Sequence, residues 1–328
     1  MKRNKFNGYE RLLILMSFFL FLNFLPGIPM TAEAAFPEKP VTIVVCFGPG
    51  GMRDIAARGV GNTMGKYLGV PMIVKNLPGA GGVRGMNNIY LAESDGYTFG
   101  VSMGTDIVAQ ILKTVEFDNT KYTVIGRIQR SPGFLTVKAD SPIRSIKDFK
   151  TFGKPIRQSA FSLFAPSTIL PMILSDREGW DLVTIGGYRG AAAANLAVVR
   201  GEVEIAGAGL SSLKPYLEAK QLRLILTIDD KRSPDFPNVP TIVEEGHPDL
   251  ANFALDLWFV GPPNIPKSRV KILEDAFKKT AEDPEFLKWA GKAGMDVAYL
   301  NGTEMRKNIL GLFDVFTKYK SVIQKYIK

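Results

Sequence analysis

The chain has 328 residues, with 41 lysines and arginines against 32 aspartates and glutamates, which gives a formal net charge of +9. Its length allows two domains of ordinary size. A hydrophobic fraction of 46% with 22% charged residues excludes a wholly disordered or collagen-like chain. The single cysteine excludes an intrachain disulfide framework and a cysteine-based zinc cluster, and the single histidine leaves little acid–base machinery.

The first 34 residues have the three parts of a secretory signal. Four basic residues precede an apolar run from Leu12 to Leu25, and Ala32-Glu33-Ala34 supplies the small residues of a cleavage site. The apolar run has 14 residues, whereas a membrane span needs about 20; an uncleaved anchor stays open as the alternative. Cleavage would remove four basic and two acidic groups, which lowers the net charge from +9 to +7. We therefore expect a soluble periplasmic protein cleaved near Ala34.

Beyond the signal, short runs of β-branched residues alternate with amphipathic stretches. The predicted strands of the first half are Val41–Phe47, Met72–Lys75, Thr98–Ser102, Val124–Ile128 and Phe134–Lys138. The predicted helices between them are Arg53–Tyr67 and Gly82–Leu91. Alternation of this kind is typical of parallel sheets covered by helices, so the fold class is α/β.

The same alternation restarts in the second half. Strands are predicted at Leu182–Ile185, Val203–Ala206, Leu222–Ile228 and Leu255–Val260, and helices at Ser167–Ser175, Ala191–Arg200, Lys267–Ala281 and Pro284–Ala293. The proline-rich segment from Lys231 to Pro248 is predicted to be a long surface loop. The last helix carries apolar residues from Met305 to Tyr319 at spacings of three and four, a pattern typical of a core face; a partner-binding face stays open.

The most informative turn is Gly48-Pro49-Gly50-Gly51, between the first strand and the first helix. Glycines let backbone N–H groups face a cavity without obstruction from a Cβ atom. The helix start behind them adds unpaired donors and a partial positive charge, which suits a carboxylate or a phosphate. Asp54 falls in the first helical turn, where it either stabilises the helix terminus or contacts a ligand.

Two further turns resemble the first in part. Gly79, Gly81 and Gly85 partly match the glycine spacing of a dinucleotide-binding turn. The acidic residue that this motif expects about twenty positions further on is not convincing, so a tight turn is the preferred interpretation. Gly187-Tyr188-Arg189-Gly190 follows a strand and opens an alanine-rich helix. Arg189 there either pairs with a carboxylate ligand or is an ordinary surface arginine.

Catalytic and metal-binding patterns are weak. His247 lies between glycine and proline in the proline-rich loop, and no nucleophile-elbow motif accompanies it. Cys46 lies inside an apolar strand and is expected to pack as a small hydrophobe. The basic residues are scattered, which argues against nucleic-acid binding. We therefore predict a protein that is not an enzyme and has no catalytic residues, metal site, cofactor or nucleic-acid partner.

Taken in order, the motifs resemble the substrate-binding receptors of tripartite tricarboxylate transporters, the Bug-type receptors. The similarity extends from Phe36 to about Phe316. Its opening motif keeps Pro40, Val41, Gly50, Gly51, Asp54 and Arg58, with Cys46 where the family has proline. The later motifs are Val74 to Gly82, Asp95 to Thr98, Gly104-Thr105, Tyr188 to Gly190, Gly201 to Glu204 and Lys231 to Thr241.

This resemblance implies a two-lobed periplasmic-binding-protein fold with a carboxylate in the cleft. The implied domains are 35–138 with 258–328 and 139–257, with strands crossing near Val137–Ser141 and Leu255–Val260. The implied ligand-binding residues are Phe47, Gly50, Gly51, Asp54, Gly104, Thr105, Phe161, Ser162, Tyr188, Arg189 and Gly190.

The second-domain loop departs from the family, which usually has glycine and serine there. This chain has Phe161 and Phe164, with Ala165 in place of a serine, Thr168 in place of a histidine and Ala208 in place of an acidic residue. A cleft lined by either phenylalanine would favour an apolar or aromatic acid over citrate. The alternative is that both phenylalanines pack into the domain core.

The predicted function is that of a monomeric extracytoplasmic receptor that captures a small organic carboxylate and delivers it to membrane transporter subunits. Binding is expected to close the two domains about their hinge. A sensor subunit for a membrane kinase would use the same binding event and stays open as an alternative. An exported hydrolase is a third hypothesis, but the sequence offers no credible nucleophile–base pair for it.

Overall fold

The computed structural model describes residues 36–327. The predicted export signal lies outside this range. The first sheet combines three parallel strands with three that run antiparallel to their neighbours, in the order β11-β4-β10-β3-β1-β2. Its strands are β1 (Val41–Val45), β2 (Met72–Asn76), β3 (Thr98–Ser102), β4 (Thr123–Ser131), β10 (Leu255–Gly261) and β11 (Val297–Asn301).

The second sheet has the order β7-β6-β8-β5-β9. Its strands are β5 (Gly133–Lys138), β6 (Ile156–Ser159), β7 (Leu182–Ile185), β8 (Ile205–Gly209) and β9 (Leu222–Ile228). Strands β6, β7 and β8 are parallel, and β5 runs antiparallel to β8 and β9. The predicted α/β class is therefore confirmed as two mixed sheets covered by helices.

The helices follow the strands in the alternation that the sequence indicates. They are α1 (Met52–Leu68), α2 (Val83–Tyr90), α3 (Gly104–Leu112), α4 (Pro166–Glu178), α5 (Ala191–Val199), α6 (Leu210–Glu218), α7 (Lys267–Glu282), α8 (Pro284–Lys292), α9 (Gly302–Lys318) and α10 (Lys320–Ile327). Helices α3, α6 and α10 and strands β6 and β11 were not predicted. Each is short, from four to nine residues, and gives little periodicity.

The chain passes between the sheets at Pro132, and not near Val137–Ser141 as predicted. Strand β4 ends in the first sheet at Ser131, and β5 begins in the second sheet at Gly133. Val137 pairs with Ile205 inside the second sheet, so its apolar run fills that sheet and does not cross. The domain limits, 35–138 with 258–328 for the first lobe and 139–257 for the second, remain a proposal. The pairing of β5 with β8 and β9 assigns residues 133–138 to the second lobe.

The return crossing also differs from the prediction. Strand β9 ends in the second sheet, and β10 pairs along its length with β4 of the first sheet. The chain therefore passes back from the second sheet to the first over residues 229–254, before β10 begins. Leu255 pairs with Ser131, so the two crossings lie side by side.

The core includes the C-terminal helices. Met305, Ile309, Leu312 and Phe316 are at most 2% exposed and belong to one cluster with residues of both sheets. The apolar stripe of the last predicted helix is therefore a core face. Within residues 36–327, the structure contains no helix that is both long and apolar enough to span a membrane.

Candidate ligand-binding site

The first glycine loop is held in shape by Asp54. Its carboxylate accepts a hydrogen bond from the Gly50 N–H at 2.9 Å, two from Arg58 at 3.0 Å and one from Asn76 Nδ2 at 2.9 Å. The hydrogen bonds from Arg58, opposed by burial, lower the pKa of Asp54 to about 2. Gly50 has a φ of +85°, which favours glycine. Asp54 therefore fixes the conformation of the loop, and both of its carboxylate oxygens already accept hydrogen bonds from the protein.

Arg53 ties the first loop to the turn after β3, an arrangement that the sequence analysis did not foresee. Its Nη1 lies 2.8 Å from Asp106 Oδ2, and its Nη2 lies 3.1 Å from Asp106 Oδ1 and 2.7 Å from Thr105 Oγ1. Asp106 also accepts from Ser102 Oγ and the Met103 N–H. Arg53 is 5% exposed and Asp106 is 2% exposed, so this is a buried ion pair in which both carboxylate oxygens accept hydrogen bonds.

Cys46 and Phe47 pack against the same guanidinium. Arg53 Nη1 donates to Cys46 Sγ at 2.8 Å, and the guanidinium carbon lies 4.9 Å from the centre of the Phe47 ring. Burial, opposed by the charge of Arg53, raises the pKa of the Cys46 thiol to about 12. Cys46 is thus a neutral packing residue, as predicted. Phe47 remains 41% exposed over the loop.

The turn after β3 brings the two lobes into contact. A Cβ atom on Gly104 would lie 3.0 Å from Pro166 Cγ, at the start of α4 in the second lobe. Lys113, at the end of α3, places its Nζ 4.5 Å from the centre of the Phe164 ring. Loops that follow strands of both sheets therefore meet at one face, as the predicted cleft requires.

The predicted residues of the second lobe lie on the loops after β6 and β7. Phe161 is 36% exposed, whereas Phe164 is partly buried and packs against the core. Ser162 Oγ accepts from the Phe164 N–H at 3.3 Å, which is a local turn contact. Tyr188 packs against the core cluster around Phe134.

Arg189 and Gly190 complete the loop after β7. Arg189 is exposed, and Gly190 is the N-cap of α5 with a φ of +96°. Nothing within 4 Å would obstruct a Cβ atom on Gly190. This side of the face is therefore open.

A cavity of about 900 Å³ lies beside the crossing strands. Its wall begins at Met52, directly after the glycine loop, and continues through residues 129–132 of the crossing, the start of α6 at Gly209 and the segment 291–296. Phe161 and Phe164 are not part of this wall. The sequence analysis had not singled out the cavity residues of β4.

Charges at the crossing are tightly paired. Arg130 donates to Asp229 at 2.6 and 3.1 Å and to Asp256 at 3.2 Å, and Arg127 donates to Asp256 at 3.2 Å. Burial raises the pKa of Asp229 to about 6 despite Arg130. Arg130 therefore lines the cavity as part of an ion-pair cluster that joins β4, β10 and the end of β9.

His247 lies apart from these loops and is 7% exposed. Its Nε2 is 3.4 Å from Glu178 Oε1, and its Nδ1 is 3.3 Å from Arg177 Nη1. Burial and the nearby Arg177 lower its pKa. Among the described residues, no three histidine, cysteine, aspartate or glutamate side chains form a group suited to a metal ion.

Two lobes joined by crossing strands, with loops of both meeting at one face, define a two-lobed solute-binding protein. Residues 56–327 match the family model described as the tripartite tricarboxylate transporter family receptor. The chain therefore belongs to this family of solute-binding receptors.

Curated relatives agree with this assignment, and solved structures agree with the fold. The chain is 29% identical over 311 residues to the "UPF0065 protein in gbd 5'region" of Cupriavidus necator, covering 92% of each chain. A TctC solute binding protein from Polaromonas matches with a TM-score of 0.78 at 21% identity, over 89% of this chain and 100% of that one. The R. palustris protein Rpa4515, solved with adipate, matches with a TM-score of 0.69 at 23% identity, over 88% and 99%.

Proposed function

We propose that this receptor captures a small organic carboxylate in the periplasm and delivers it to the membrane subunits of a tripartite transporter. Membership of the receptor family supports the transport role, and the adipate held by the R. palustris relative supports a carboxylate ligand. The net charge of +7 that remains after removal of the predicted signal favours the approach of anions.

The observation that carries the proposal is the meeting of Gly104 with Pro166 across the two lobes. Helix α1 begins after Gly51 and α4 after Ala165, and neither N-cap side chain accepts a hydrogen bond from its helix. Unpaired N–H groups at helix starts bind carboxylates, with help from the helix dipole. An acid between these two starts would bind both lobes and hold them together.

The ligand's body is proposed to be apolar. Phe47 and Phe161 are 41% and 36% exposed, on loops of opposite lobes, and both rings are available to cover a carbon chain or an aromatic ring. Aromatic or medium-chain acids should therefore bind more tightly than citrate. Phe161→Ala should reduce affinity for the aromatic acid and leave affinity for citrate unchanged.

A thermal-shift screen of residues 35–328 tests the proposal against mono-, di- and tricarboxylates and aromatic acids. A ligand at 100 times its Kd stabilises the folded protein by about 2.7 kcal/mol, so the correct acid should raise the melting temperature clearly. A shift with sugars or amines but with no acid would contradict the carboxylate assignment. Citrate binding above every aromatic and medium-chain acid would contradict the role of Phe161.

Delivery and location have separate tests. Deletion of the gene should abolish uptake of the acid that the screen identifies. Growth on that acid with uptake intact would instead favour a sensor role. N-terminal sequencing of the exported protein should find Ala35 as the first residue.

A further inference from the structure

Helix α3 contacts the second lobe near both of its ends, and the two contacts reach the same short segment. At its start, a Cβ atom on Gly104 would lie 3.0 Å from Pro166 Cγ. Directly after its last residue, Lys113 places its Nζ 4.5 Å from the centre of the Phe164 ring. The Gly104 contact is steric, because glycine has no side chain to attract the proline. The contact of Lys113 with Phe164 is attractive, since a cation is drawn to the face of an aromatic ring.

The Lys113 ammonium group lies between parts of the two lobes. Its Nζ would be 3.9 Å from a Cβ atom on Gly81, in the glycine loop after β2 of the first lobe, and it faces Phe164 in the second lobe. Lys113 is exposed, and among residues 36–327 no carboxylate forms an ion pair with it. Its charge is therefore available to the ring and is not neutralised by an acidic neighbour in that part of the chain.

The Phe164 ring is held in place by its own lobe. It is partly buried and packs against the hydrophobic core. The Phe164 N–H donates to Ser162 Oγ at 3.3 Å, and the Ala165 N–H donates to the Ser162 carbonyl at 3.2 Å. A ring that is already fixed loses little conformational entropy when a cation contacts it. An exposed cation–π contact of this kind changes an equilibrium constant by about two- to fivefold.

The contact depends on how close the two lobes are. Phe164 lies two residues before Pro166, the first residue of α4, whose start is one of the two proposed carboxylate-binding helix starts. Movement of the second lobe away from α3 would separate the Lys113 ammonium group from the ring, and Gly104 from Pro166. A contact that exists only in the closed arrangement raises the apparent affinity for a ligand that requires closure, by up to the factor by which it favours closure.

We propose that Lys113 and Phe164 form a latch between the lobes, in which Lys113 is a positioning residue that strengthens ligand binding without contacting the ligand. The inference rests on the proposed function, because it requires an acid that binds between the lobes. It adds the side chains that hold the cleft closed. Because the latch acts on closure and not on the ligand, it should strengthen the binding of every acid by the same factor.

A double-mutant cycle in titration calorimetry tests the latch on residues 35–328, with adipate, hexanoate, benzoate and citrate as probes. Lys113→Met keeps an unbranched side chain and removes its charge, and Phe164→Leu keeps an apolar side chain and removes the ring. Each variant should weaken the binding of each acid that the wild type binds by about two- to fivefold. The double variant should bind no more weakly than Lys113→Met. Lys113→Arg should retain the wild-type affinity, because arginine also stacks on aromatic faces.

Lys154→Met is the matched control. The Lys154 Nζ lies 5.1 Å from the centre of the Phe152 ring, and both residues belong to the second lobe. This variant removes the same charge and should leave affinity unchanged. Losses that multiply in the double variant, or a larger loss for the doubly charged adipate than for hexanoate, would show that Lys113 acts directly on the charge of the ligand. Either result, or unchanged affinity in Lys113→Met, would overturn the latch and leave the carboxylate receptor standing. Binding of no acid at all would overturn both.

Discussion

Removing Arg53 should destabilise the protein strongly, because the change leaves Asp106 charged and buried. Asp106 is 2% exposed and would keep only its hydrogen bonds from Ser102 Oγ and the Met103 N–H. Breaking a buried pair by removing one partner costs about 3–5 kcal/mol. Arg53→Met should therefore lower the free energy of unfolding by about that amount, or the melting temperature by on the order of 10 °C.

Urea unfolding followed by circular dichroism measures this free energy. The double variant Arg53→Met with Asp106→Leu should recover most of the loss, because two apolar side chains replace the whole pair. Lys66→Met is the control, since Lys66 and Glu285 are 62% and 81% exposed and a surface pair of this kind contributes little to stability. A loss below 1 kcal/mol for Arg53→Met, or no recovery in the double variant, would refute the reasoning.

Three further changes have defined outcomes. Asp54→Asn should weaken acid binding in calorimetry. Because the folded pKa of Asp54 is about 2, the wild type should lose stability as the pH falls from about 4 towards 2, and this variant should not show the loss that Asp54 causes. Because Asp229 has a raised pKa of about 6, the wild type should lose stability as the pH rises from about 4 to 6; Asp229→Asn should abolish that slope in urea titrations. Gly104→Val should clash with Pro166 and weaken acid binding by about tenfold. Gly311→Ala, at a position of α9 where a Cβ atom would meet only Asn252 Nδ2 at 4.0 Å, should leave affinity unchanged.

The strongly patterned elements were predictable from the sequence. Runs such as Thr98–Ser102 and Leu222–Ile228 are strands with the predicted limits, because their apolar and β-branched residues fill a sheet interior. The helix Gly104–Leu112 was missed because it follows its strand after a single residue and is only nine residues long. The crossing was misplaced because the run from Phe134 to Val137 is equally suited to a crossing strand and a sheet interior. Pairing with Ile205 decides between them.

The site was predictable only where backbone geometry forms it. The glycine loop and the Gly104 turn depend on local conformation, and their residues are visible in the sequence. The pairing of Arg53 with Asp106 joins positions 53 residues apart, and no local pattern connects them. A usable signal was present: Arg53 and Asp106 both lie in the first turns of helices that follow β1 and β3, which are adjacent parallel strands.

The two parts of the proposed site differ in how substitutions affect them. Backbone N–H groups at the start of α1 persist whatever side chains surround them, so carboxylate binding there depends on the fold and on the loop that Asp54 holds. The body of the proposed ligand meets side chains, among them the exposed rings of Phe47 and Phe161. A change at Phe161 can therefore alter which acid is bound without removing the capacity to bind acids. Loss of binding to every acid should follow only from changes that disturb the loop or the approach of Gly104 to Pro166.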